Sequence, residues 1–142
     1  MMQKLHFQAG TRFAPAPSER GQELVEFALT FPVLFLLLLG ILDMGRATYY
    51  NSVLYNSARE GARYGIIYPD DAAGIETAAR NLAVGLYPAD LTVSSARVSS
   101  GAADNIQVVL NYQFTPVTPV IAQFFGAAVV TVTNQATMQI EE

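Results

Sequence analysis

The stretch that decides the fold of this chain runs from residue 20 to residue 42 and reads RGQELVEFALTFPVLFLLLLGIL. Its last sixteen residues, 27–42, carry no charge. With Leu24 and Val25 the apolar segment, residues 24–42, approaches the ~20 residues that a helix needs to cross a bilayer core. Glu26 stands directly before the uncharged run, where burying an unpaired carboxylate would be costly. The stretch therefore predicts a membrane helix with an unusual acidic residue at its start.

Three interpretations of the apolar segment compete. A secretory signal peptide should end in small residues at a cleavage site, whereas this run ends in Leu42-Asp43; cleavage near Ala47 would release a soluble secreted domain. A plain signal anchor explains the run but neither Gly21 nor Glu26. The spacing of these two residues resembles the site cut by prepilin peptidases, where the leader is removed after the glycine. Gln22 would then be the first residue and Glu26 the fifth.

Composition argues against catalysis and against nucleic-acid binding. The chain of 142 residues has no cysteine, and its only histidine and only lysine precede residue 21. Without residues 1–21, five basic and eleven acidic residues remain, a net charge of −6, which offers no basic footprint for nucleic acid. The usual general bases and nucleophiles are missing, and no phosphate loop or metal-ligand spacing occurs. We therefore expect no enzyme activity, no cofactor, no metal and no small-molecule substrate.

Charge and patterning predict the organisation of the chain. Lys4, Arg12 and Arg20 precede the apolar segment, so the N-terminus is expected in the cytoplasm and the C-terminal part outside. We predict a leader over residues 1–21, a long helix over 22–67 and an extracytoplasmic α/β head over 68–142. The long helix keeps an apolar face beyond the membrane and should end at Pro69.

The head is predicted to contain a second helix and a small antiparallel sheet, which makes the fold class α+β. Asp70 or Asp71 would cap a helix whose apolar stripe reaches Leu86. Alternating residues predict strands over 106–114 and 130–140, and a weaker strand over 91–98 with a bulge at Ser94-Ser95. Residues 101–105 are predicted as a hairpin turn. Residues 119–126 are predicted as a short helix capped by Thr118.

With this order in view, the chain resembles the TadE-like minor pilins, or pseudopilins, of the Tad (Flp) pilus machinery. The resemblance rests on residues 20–29, 40–46 and 56–65, which read RGQELVEFAL, GILDMGR and NSAREGARYG. The motif residues are Phe27, Asp43, Gly45, Arg46, Arg59, Glu60, Gly61, Ala62 and Arg63. Phe27 stands where the main Flp pilins carry tyrosine, which favours a minor pilin.

The resemblance implies partners and a location. The chain would be cleaved by a prepilin peptidase and held in the bacterial cytoplasmic membrane. There it would meet other Tad pilins or pseudopilins and the inner-membrane assembly platform, and it would help assemble an adhesive pilus. The alternative is a single-pass, signal-anchored envelope protein whose outer domain binds a ligand or partner without entering a filament.

The candidate site residues each have a functional and a simpler interpretation. Glu26 could neutralise the new α-amino group of Gln22 in the same or a neighbouring chain, or it could rest ionised among headgroups. The small strip at Gly61 could contact another subunit, although intramolecular packing is favoured. Arg59 and Arg63 could meet anionic lipid or a partner carboxylate, or simply face water.

Overall fold

The computed structural model describes residues 19–100, 103–118, 123, 126 and 129–140. Within these described residues, two helices and three strands follow one another, with a 3-10 turn over Pro88–Asp90. They are α1 (Glu19–Ile67), α2 (Ala72–Leu82), β1 (Leu91–Ser100), β2 (Ala103–Phe114) and β3 (Val130–Gln139). The predicted α+β class, with a long helix, a short helix and a three-stranded antiparallel sheet, is confirmed. Contacts divide the chain into two units, Met1–Phe35 and Leu36–Glu142.

Helix α1 is 49 residues long and passes through Pro32. It ends at Ile67, as predicted, because the residue before Pro69 is steered away from helical geometry. In the second unit the helix buries a stripe at a spacing of four residues, formed by Leu54, Ala58 and Ala62, each fully buried. This stripe is the apolar face on which the rest of the unit packs.

Helix α2 begins at the predicted cap and ends earlier than predicted. The side chain of Asp71 accepts a hydrogen bond of 2.9 Å from the backbone N–H of Gly74, as an N-cap does. The helix ends at Leu82, so the prediction that the stripe runs to Leu86 within the helix is wrong. Leu86 is buried nevertheless, because the chain turns at Gly85, whose φ of +80° suits glycine.

The sheet has the order β1-β2-β3 and is antiparallel throughout. Strand β1 pairs with β2 residue for residue, from Leu91 opposite Tyr112 to Ser100 opposite Ala103. The predicted bulge at Ser94-Ser95 is therefore wrong. The apparent slip in the pattern arises because β1 is an edge strand whose far half is not buried. The predicted turn over residues 101–105 is also too long, since β2 already begins at Ala103.

The core of the second unit lies between α1, α2 and one face of the sheet. Alternate residues of β2 supply most of it, because a half-buried strand points every second side chain inward. The buried hydrophobic residues are Leu54, Ala58, Ala62, Ile75, Ala79, Leu86, Leu91, Ile106, Val108, Leu110, Tyr112 and Phe114. The short helix predicted for residues 119–126 lies outside the described residues, except for Gln123 and Gly126.

Candidate assembly and anchoring site

The predicted processing site lies on the first turns of α1. Gly21, Gln22, Glu26 and Phe27 are all exposed. Gln22 and Glu26 are four residues apart on a helix, so they share a face with a rise of about 6 Å between them. No hydrogen bond or salt bridge engages Glu26 within the described part of the chain. Its carboxylate is open to a partner from outside these residues.

The apolar side chains that follow Glu26 are exposed along the helix. Phe27 and Phe31 stack with ring centroids 5.5 Å apart, and Phe31 and Phe35 with centroids 6.0 Å apart. Their outward surfaces are uncovered: Phe27 is 64% exposed. This helix is long and apolar enough to cross a membrane, and no part of its most apolar window is buried by the described residues. Exposed apolar surface of this extent marks a membrane or partner contact.

Asp43, directly after the apolar segment, is the most deeply buried acidic residue described. It is 3% exposed, and its two carboxylate oxygens accept hydrogen bonds from the backbone N–H groups of Val117 at 3.0 Å and Thr118 at 2.8 Å. Arg46 lies 3.4 Å from the same carboxylate. Charge-assisted bonds of this kind are stronger than neutral ones. We call the contacts of the Asp43 carboxylate with these two N–H groups and with Arg46 the Asp43 clasp. The clasp holds residues 117–118 against α1.

The sequence places Asp43 and Arg46 in the motif that carries the family resemblance. It does not indicate the contact with Val117 and Thr118, which lie more than 70 positions away. The partners are backbone N–H groups, which every residue except proline carries, so no sequence pattern marks them. The available signal was the position of a carboxylate directly after an apolar segment.

Arg46 also belongs to an aromatic cluster. Its guanidinium carbon lies 5.8 Å from the ring centroid of Tyr50 and 5.9 Å from that of Phe114, within cation–π range. Tyr50 in turn meets Tyr112 edge-on with centroids 4.9 Å apart. The cluster joins α1 to β2, and its cation adds to the Asp43 clasp.

The small residues of the motif serve packing within the chain. A Cβ placed on Gly61 would meet Ala79 at 3.1 Å and Val108 at 3.2 Å, and one on Gly65 would meet Ile106 at 2.8 Å. Ala62 is fully buried. The structure therefore supports intramolecular packing for this strip. Gly45 differs, because a Cβ there would meet nothing within 4 Å.

Three charged residues of the motif, Arg59, Glu60 and Arg63, have exposed or half-exposed side chains. Arg63 lies 3.6 Å from Glu60, and their side chains are 75% and 42% exposed. The guanidinium of Arg59 lies 5.7 Å from the ring centroid of Tyr55. Exposed pairs of this kind contribute little to stability. Among the described residues, no group of three acidic or histidine side chains could hold a metal ion.

The adjacent acids Asp70 and Asp71 have separate partners. Asp71 caps α2 and also accepts a bond of 2.9 Å from the Tyr64 hydroxyl. The N–H of Gly74, followed by the hydroxyl of Tyr64, lowers the pKa of the Asp71 carboxyl below its usual value, because both bonds favour the charged form. Asp70 pairs with Arg97 at 2.7 Å, a contact that the sequence did not indicate.

The described residues contain one helix that is long and apolar enough to cross a membrane, which suggests a single-pass membrane protein, and a small α+β unit. Residues 21–63 match the family model described as TadE-like protein. The match covers the apolar segment and the motifs at 40–46 and 56–63, so the resemblance stated from the sequence is confirmed over that part of the chain. Comparison with curated proteins gives no match, and neither does comparison with solved structures.

Proposed function

We propose that the chain is a TadE-like minor pilin, or pseudopilin, that acts as a membrane-anchored structural component in the assembly of a Tad-type adhesive pilus. A prepilin peptidase would remove residues 1–21 and leave Gln22 as the first residue. The apolar segment of α1 would then hold the protein in the bacterial cytoplasmic membrane, with its N-terminus on the cytoplasmic side and the head outside. The partners would be other Tad pilins or pseudopilins and the inner-membrane assembly platform.

The observation that carries the proposal is the exposed Glu26, one helical turn after Gln22 and at the head of an uncovered apolar surface. An ion moved into an apolar environment without a partner costs several kcal/mol. The α-amino group of Gln22 that cleavage would create is a partner of opposite charge. Pairing between Glu26 of one chain and this amino group of a neighbour would align the apolar segments during assembly. The match of residues 21–63 to the TadE-like family supports the same role.

The experiment compares Glu26→Ala with a matched control, Glu23→Ala. Both carboxylates are exposed on the same stretch of α1, and they differ only in their position relative to Gln22. We expect Glu26→Ala to abolish or strongly reduce pilus assembly while the protein still accumulates in the membrane. Glu23→Ala should leave assembly close to that of the wild type.

An equal loss of pilus assembly in both variants would show that Glu26 has no special role. Unchanged assembly in both, with the protein still anchored, would favour the alternative of an envelope protein that stays outside the filament. Membrane fractionation accompanies the assembly assay, because a chain lost from the membrane would show a folding or insertion defect instead.

A further inference from the structure

The Asp43 clasp fixes the height of a distant part of the chain relative to the apolar segment. Asp43 follows Leu42 directly, and its carboxylate holds the backbone N–H groups of Val117 and Thr118 at 3.0 and 2.8 Å. These two residues must therefore lie level with the end of the apolar segment. If that segment crosses the bilayer, as the proposed function requires, Val117 lies at the membrane surface.

Four exposed apolar or aromatic side chains either adjoin the clasp residues in sequence or line the mixed groove beside Arg46. Val117 is 62% exposed and Met44 is 70% exposed. Val129, 44% exposed, lines a shallow groove with Arg46 and with Tyr87, which is itself 75% exposed. We call Met44, Tyr87, Val117 and Val129 the collar. Leaving four large apolar side chains in water beside a membrane segment would be unfavourable.

The depth of the collar agrees with the thickness of the headgroup layer. That layer spans about 5–8 Å on each side of the hydrocarbon core. A helix rises about 1.5 Å per residue, so the first four or five residues of α1 after Leu42 remain within it. Arg46 is in this range, and an arginine with an aromatic neighbour such as Tyr87 is typical of the membrane interface.

The charge distribution of the chain leaves this region free to approach lipid. No charged residue occurs from Asn105 to Ile140, the stretch that includes Val117 and Val129. The charge of Asp43 is engaged by two N–H groups and Arg46. Asp90 also lines the groove, and its carboxylate has to face water. This limits the contact to the headgroup layer.

We propose that the collar lies in the lipid headgroup layer, so that the chain contacts the bilayer a second time outside its apolar segment. The occupant of this surface is the bilayer itself, because the collar is tied to the residue at which the apolar segment ends. A second contact would restrict the tilt of the outer unit before assembly. Entry into a filament would then require the collar to leave the lipid.

The chain has no cysteine, so single cysteines can be placed for a fluorescent label in the full-length protein. We would label Val117→Cys in phosphatidylcholine liposomes and measure quenching by lipids that carry a nitroxide. Leu38→Cys, within the apolar segment, is the control for anchoring. Ile67→Cys, at the far end of α1 and 65% exposed, is the control for water. We expect strong quenching at position 38, intermediate quenching at 117 and none at 67.

Each outcome decides a different claim. Quenching at position 38 but not at 117 would overturn the collar while leaving membrane anchoring intact. No quenching at position 38 would overturn the anchoring and the collar together. A label at 117 that is protected from aqueous iodide, yet is not quenched by lipid, would show that protein covers this surface and would contradict the proposal. Val129→Cys serves as a second collar position and should behave like Val117→Cys.

Discussion

The Asp43 clasp provides the sharpest test of how the second unit is held together. Asp43→Ala would remove the acceptors of two backbone bonds, those to Val117 and Thr118, of which the second is buried. A hydrogen bond to a charged group contributes about 1.5–3 kcal/mol. Arg46 adds little to this sum because its side chain is 40% exposed. We therefore expect Asp43→Ala to lower the free energy of unfolding by about 3–6 kcal/mol.

The assay is thermal unfolding of the full-length chain in detergent, followed by the near-ultraviolet circular dichroism of the packed tyrosines. For a unit of this size, 1 kcal/mol corresponds to about 4–8 °C, so the melting temperature should fall by at least ~12 °C. Ile67→Ala is the control, because the Ile67 side chain is 65% exposed at the far end of α1. It should change stability by less than about 0.5 kcal/mol. If Asp43→Ala behaves like Ile67→Ala, the clasp does not hold residues 117–118 as described.

Three further predictions concern packing and pH in the second unit. Gly65→Ala should destabilise the chain by about 1–3 kcal/mol, because the new Cβ would lie 2.8 Å from a buried side chain. Gly45→Ala should be neutral or stabilise by up to ~1 kcal/mol, since that site is open and alanine favours helix. Equal melting temperatures for the two variants would contradict the packing described. Leu110→Ala removes a fully buried side chain and should cost about 2–5 kcal/mol in denaturant unfolding, while a cost below ~1 kcal/mol would mean that β2 does not line the core. The pKa of Asp71 is lowered in the folded chain by the N–H of Gly74, so its stabilising contribution is full above the ordinary carboxyl pKa and is lost as pH falls through the lowered value. Asp71→Asn should reduce the loss of unfolding free energy as the pH is lowered from 7. An unchanged loss would show that Asp71 does not contribute to the pH dependence of stability.

The elements that the sequence predicted well are those with a strong local signal. The long α1 follows from an apolar segment joined to an amphipathic one, with Pro69 as its stop. Strands β2 and β3 alternate over ten or more residues, and their registers agree with that alternation. Residue type alone predicted Asp70 or Asp71 as the cap of α2, and the structure has Asp71 in that position.

The errors occur where tertiary contacts decide. Strand β1 lies at the edge of the sheet, so its outer half has little burial to enforce alternation, and Ser95 could be mistaken for a bulge. The end of α2 was misjudged because the chain turns at Gly85 and still buries Leu86. In the sequence, Leu86 therefore looks like one more residue of the apolar stripe of the helix. The clasp joins positions more than 70 residues apart through backbone groups, which no local pattern can show.

The motif residues of the candidate site could be predicted from the sequence, but which of them lie together in the structure could not. Gly61, Ala62 and Gly65 pack inside the second unit, Asp43 and Arg46 hold the clasp, and the charged residues around Glu60 face outward. The roles of Gly21 and Glu26 stay predictions, because they concern a cleavage and an assembled state. They are also the residues on which the proposed function rests.

The measurement that tests the central claim most directly is the N-terminal residue of the protein purified from its native membrane, determined by mass spectrometry. Processing as a minor pilin predicts a chain that begins at Gln22, four residues before Glu26 and with the apolar segment intact. A chain that retains the residues before Gly21 would contradict processing and favour a plain signal anchor. A chain that begins beyond Leu42 would show a secreted domain and would contradict the minor-pilin account as a whole.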